Sequence, residues 1–153
     1  MKNINLGNQF TIFGFAIATT IIVFVGHALA YQDRPMEFFS GLIDPATMLM
    51  MLILFLISLV VGCFIGVIPT FITGLCFKYF FENKFENANY LKTGFYGFLV
   101  SFIWLPMVLL FYFIHSPTFD MLLIFWAIVI LPTCIICAML EKRQLNKLQH
   151  AQK

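Results

Sequence analysis

The sequence predicts an all-α polytopic membrane protein of four transmembrane helices, with both ends on the cytoplasmic side. Composition is the first reason. Of 153 residues, 61% are apolar and only 10% are charged, far below the roughly 25% charged residues of soluble chains. A soluble fold of this size cannot hide that much apolar surface, because its surface-to-volume ratio leaves many side chains in water. Segmentation is the second: runs 10–31, 46–77, 93–119 and 121–140 contain no Asp, Glu, Lys or Arg. Each reaches the length of about 20 apolar residues that a helix needs to cross a bilayer. None alternates with polar residues as a barrel strand does. Charge placement is the third. Lys2, Lys78, Lys84, Lys92, Lys142, Arg143, Lys147 and Lys153 fall at the termini and the second connection, and only Arg34 falls on the opposite side. Positive charge marks the cytoplasmic side, which gives both termini inside and four crossings, in a single transmembrane domain covering 1–153.

The first helix is expected at about 10–31. Its competing reading is a signal peptide, with Lys2, an apolar stretch and Ala28-Leu29-Ala30 before Tyr31 as the cleavage pattern. Its near-spanning length favours a retained helix. Gly14, Ala18, Gly26 and Ala30 line one loose ladder along it. The following loop, 32–43, is acidic, and Asp44-Pro45 then sets a capping carboxylate before a proline at the first helical position.

The second helix, about 46–81, is overlong. At 1.5 Å per residue it spans about 54 Å against a hydrocarbon core of about 30 Å. It must tilt, break or project, and Pro69 can kink it. It also carries a ladder of small residues four apart: Ser58, Gly62, Gly66, Thr70 and Gly74. Such spacing lets helix backbones approach closely. The ladder advances about 40° per step, so one partner meets about three rungs. Packing inside the bundle is the plainer reading, with the first helix as the obvious partner; homodimerisation or docking to another membrane protein is the functional one. The segment 66–74 resembles a Gly-x-x-Pro-x-x-x-Thr-Gly stretch of uncharacterised small four-helix inner-membrane proteins of proteobacteria. The resemblance covers these nine positions and implies a bacterial inner membrane as the location, with no activity attached.

The third helix, about 90–115, has Asn89 as its expected cap and Pro106 within it; the fourth, about 117–140, starts at Ser116-Pro117 and holds Pro132. With Pro69 these are the three expected kinks. Tyr31 and Tyr112, and Tyr79, Tyr90 and Tyr96, sit where two interfacial aromatic belts are expected. The tail 141–153 carries Leu145 and Leu148 among Lys and Gln. It reads as a solvated end or as a weak stripe against the membrane surface or the second loop.

Function is read mostly by exclusion. The small net charge of +2 and the absence of a basic stripe argue against nucleic acid. Cys134-x-x-Cys137 is similar to the pair that vitamin K epoxide reductase-type thiol oxidoreductases hold in their fourth helix. Here it lies just before Glu141-Lys142-Arg143, on the reducing side, and the outer loops lack shuttle cysteines. Cys63 and Cys76 read as buried small apolar groups. His27, His115 and Asp120 could meet at the outer surface, but no pair has helical ligand spacing, so no metal and no cofactor are expected. No charged residue lies inside a span, which disfavours ion relays. The hydroxyls Thr11, Thr19, Thr20, Ser58, Thr70, Thr73, Ser101 and Thr133 are expected to bond the preceding turn. The expectation is therefore a non-enzymatic protein acting through helix–helix contacts: an accessory, assembly or immunity-type subunit in contact with lipid, self-associating or paired through helix 46–81. A small oligomeric channel or transporter for a neutral or apolar solute is the alternative, and a membrane thiol oxidoreductase a remote one.

Overall fold

The computed structural model describes residues 6–30, 43–85, 87–106, 109, 113 and 119–151, without the side chains of 30, 58, 61–67 and 119–121. These residues are helical, with no strand among them. Helix α1 covers Asn8–Ala30, α2 Pro45–Phe85, α3 Tyr90–Ser101, α4 Phe119–Phe125 and α5 Leu131–His150. A 3₁₀ turn at Phe102–Trp104 extends α3, and a π stretch at Trp126–Ile130 joins α4 to α5. Two helices of the described residues, Asn8–Leu29 and Leu122–His150, are long and apolar enough to cross a membrane, and Pro45–Ile57 is a shorter apolar segment. That is two where the sequence led us to expect four; the expected span 46–81 includes side chains outside the described set, and 90–115 runs into residues outside it.

The prolines explain where helix geometry departs from α. Pro106 has no N–H to give to the Phe102 carbonyl four residues back, and Leu105 N–H takes that carbonyl instead, closing a 3₁₀ turn. Pro132 likewise cannot serve Ile128, and Leu131 N–H reaches Trp126 O, a π-type bond over five residues. Pro69 behaves differently: α2 continues through it as one helix of 41 residues. The helix is continuous through 66–74.

Caps set the ends. Asp44 Oδ2 accepts from Thr47 N and Thr47 Oγ1, both at 2.9 Å, and these bonds hold its carboxyl below the usual value. Asn89 does occupy the cap position of α3, but its side chain makes no capping hydrogen bond, a correction to the expected role. Ser116-Pro117, Tyr31 and Tyr112 lie outside the described residues.

Neighbouring helices run antiparallel. Gly7 meets Gly74 and Gly14 meets Thr70 between α1 and α2; Gly97 meets Cys134 and Gly94 meets Met139 between α3 and α5. Gln9 bonds Glu141, and Tyr90 bonds Asn146. Residues 7–9, 74–92 and 141–146 therefore share one end of the bundle. The tightest packing gathers there: Leu6, Phe10, Phe77, Phe85, Cys137, Ala138 and Leu145 form a contiguous buried cluster. Phe77 stands at its centre, 4.8 Å from Phe10 and 5.3 Å from Phe85 by ring centroid. The tail corrects the solvated-end reading: α5 stays helical to His150, and Leu145 is buried in this cluster while Leu148 is exposed. At the other end of α2, most large apolar side chains from Met48 to Val60 are exposed.

Candidate functional site: the helix interfaces and their cavity

Glycine decides how close α1 and α2 come. Gly7 has φ +92°, a conformation that L side chains rarely adopt. A Cβ on it would stand 2.3 Å from Gly74 O, and one on Gly74 would stand 2.6 Å from Gly7 O. The last rung of the predicted ladder is thus spent on backbone contact with the start of α1. Thr70, one rung earlier, lies against Gly14. For Ser58, Gly62 and Gly66 the contacts lie outside the described residues. Gly26 of the α1 ladder has nothing within 4 Å of a Cβ among the described residues. Sequence reasoning missed a third close approach. A Cβ on Gly97 would meet Cys134 O at 2.7 Å and Ile135 Cα at 2.8 Å; the Gly94-x-x-Gly97 pair was the available signal.

Hydroxyls and indoles tie the helices together. Thr20, Thr73, Ser101 and Thr133 each donate to a carbonyl three or four residues back, at 2.6–2.8 Å. Two indoles then reach across. Trp104 Nε1 donates to Thr73 Oγ1 at 3.0 Å, and Trp126 Nε1 donates to Ser101 O at 2.9 Å. Each indole sits in one of the non-α stretches before a proline. An indole N–H turned into the protein needs a partner, and sequence reasoning missed both tethers.

At the crowded end, two adjacent charges serve two different helix ends. Glu141 Oε1 accepts from Gln9 N at 2.7 Å, in the first turn of α1. Lys142 Nζ donates to Phe85 O, the last residue of α2, at 3.2 Å, and lies 5.7 Å from the Phe85 ring centre. Helix N-termini carry partial positive charge and C-termini partial negative, so each charge meets its complement. Gln9 Nε2 adds a bond to Gln144 Oε1 at 2.5 Å. Both charged residues are buried. Burial pushes the Glu141 carboxyl up, against the opposing pull of the Gln9 and Gly7 amides.

Between α1, α2, the 3₁₀ turn and the π stretch lies a cavity of about 170 Å³. Gly14 and Ala18 open one side; Thr73 and Trp104, Val129 and Ile130 form the others. Cys134 touches it, and with Cys137 it is buried as a free thiol; Cys76 is half-buried and free. Cys63, His115 and Asp120 have side chains outside the described residues, and His27 lies on α1. Comparison with protein-family models, curated proteins and solved structures finds no match for this chain.

Proposed function

We propose that the chain is a four-pass protein of a bacterial inner membrane, both ends cytoplasmic, that works through helix–helix contact and carries out no chemistry of its own. The observation that carries the reading is the division of labour along α2. Its inner half is committed to α1 through Thr70 and Gly74. In its outer half, from Pro45 to Val60, only Thr47, Met51, Phe55 and Leu59 are half-buried among the described side chains, and the others are exposed. Residues spaced by four form one ridge. One ridge against α1 leaves the rest of that helix open to lipid or to another helix. A ladder that turns about 40° per rung cannot give all five rungs to α1, and we assign Ser58 and Gly62 to a second copy or another membrane protein. The two clustered thiols, Cys134 and Cys137, are buried, which disfavours thiol chemistry.

Co-purification in mild detergent tests the reading. Gly62→Leu is expected to abolish co-purification or inter-chain crosslinking while the chain stays folded. Unchanged association in Gly62→Leu and Gly66→Leu would confine the ladder to internal packing. A second reading, transport of an apolar solute by an oligomer, draws support from the cavity alone. Solute flux in liposomes holding the purified chain would favour it.

A further inference from the structure

We infer that the cavity between α1 and the π stretch is a binding site for one hydrocarbon chain of a membrane lipid. The inference rests on the four-pass reading above, because it needs the cavity's mouth to stand at bilayer depth.

The cavity is apolar by construction rather than by composition. Thr73 and Thr133 line it, yet both hydroxyls are already donated, to Pro69 O at 2.7 Å and Val129 O at 2.6 Å. The Trp104 N–H is committed to Thr73 Oγ1. Thr70 lines it as well, and no polar surface of the lining faces the space, so water finds little to bond there. A water needs two to four polar partners, and an apolar cavity of about 150 Å³ stays dry and takes up aromatic or noble-gas guests. This one is of that size.

The shape is specified by sequence. Gly14 and Ala18 are one helical turn apart on α1 and remove side-chain volume from one wall. The π stretch, which precedes Pro132, carries Val129 and Ile130 on the opposite wall. Protein interiors otherwise fill to crystal-like density, so a space held open by small residues and a helix irregularity is suited to a guest. Its rim residues Ile22 and Phe125 are each 44% exposed, and both lie within the two spans Asn8–Leu29 and Leu122–His150. At that depth the medium is acyl chain. A chain segment is flexible, needs no hydrogen bond and fits a slot of this volume.

The test uses the full chain in vesicles of phosphatidylcholine brominated on its acyl chains, with Trp126→Phe so that Trp104 is the only reporter. Brominated lipid is expected to quench Trp104 strongly, and Ala18→Phe, which fills the slot, is expected to cut that quenching at least twofold. Quenching of Trp104 unaltered by Ala18→Phe would overturn the assignment. So would quenching by dissolved bromobenzene but not by brominated lipid, which would make the guest a free apolar solute. A separate reporter guards the underlying reading. Leu54→Trp in a Trp104→Phe, Trp126→Phe background faces outward and is quenched in any bilayer-embedded chain. Its failure to quench would contradict the membrane reading, whereas quenching there with none at Trp104 would contradict the cavity assignment alone. Where Ala18→Phe lowers folding yield, native mass spectrometry of the Trp126→Phe chain gives the same decision: one retained lipid per chain is expected, and none would overturn the site.

Discussion

Glu141 and Lys142 follow one another in sequence, carry opposite charge and close two different helix ends. Sequence placed both in a cytoplasmic tail, because charge patterning sees only that they follow the last apolar run. It cannot see that α1 begins beside Glu141 and α2 stops beside Lys142. Removing the acceptor leaves the Gln9 amide unpaired, which costs about 1–3 kcal/mol, so Glu141→Ala is expected to lower the melting temperature in detergent. Glu141→Gln keeps an acceptor and is expected to behave differently. Burial raises the Glu141 carboxyl above its ordinary 4.5. The fold therefore binds this proton more tightly than the unfolded chain does, and that contribution to stability is full below pH 4.5 and is lost as pH rises through the folded value. Melting curves at acid and neutral pH should show Glu141→Gln gaining on the parent as pH rises. An equal pH response in both chains would mean that the carboxyl is not desolvated.

Among the elements, the prolines were readable and their consequences only partly so. Pro69, Pro106 and Pro132 were all expected to kink their helices. Pro106 and Pro132 follow a 3₁₀ turn and a π stretch, from which Trp104 and Trp126 bond to neighbouring helices. The reason is local: a missing N–H frees a carbonyl, and the chain tightens or widens to use the nearest donor. Whether it tightens or widens depends on packing, which sequence does not display. Removing an interhelical hydrogen bond in a membrane costs about 0.6 kcal/mol on average, so Trp126→Phe is expected to be mildly destabilising. Gly97→Leu is a harsher change. Its Cβ alone would intrude on the Cys134 backbone, and overpacking costs about 1–3 kcal/mol or more. Thermal melts of Gly97→Leu and Gly26→Leu should separate them clearly, because Gly26 has open space around it among the described residues. Equal losses would argue against a close α3–α5 approach.

Across the whole molecule, packing is graded from one end to the other. Phe77, Phe85 and Leu145 are almost fully buried near the charged end, while Met48, Leu49 and Met50 at the far end of α2 are more than half exposed. Composition made the helices legible, since long charge-free runs have few other uses. The overlong second run was legible too, and its excess length now has a place: α2 reaches Phe85 and packs there on α1 and α5. The buried end was not legible, because Leu145 and Phe85 look like solvated tail and loop when charges surround them in sequence. If that end anchors the fold, ending the chain after residue 140 removes Glu141, Lys142 and Leu145 together. Such a truncation is expected to aggregate or be degraded when expressed, whereas ending after residue 150 should be silent.

The proposed four-pass, both-ends-inside arrangement underlies every functional statement above, and reporter fusions test it most directly. Fusions of paired cytoplasmic and external reporters after residues 38, 87, 116 and 153 should read outside, inside, outside and inside in turn. Residues 87 and 153 reading on opposite sides, or 38 and 87 on the same side, would contradict it.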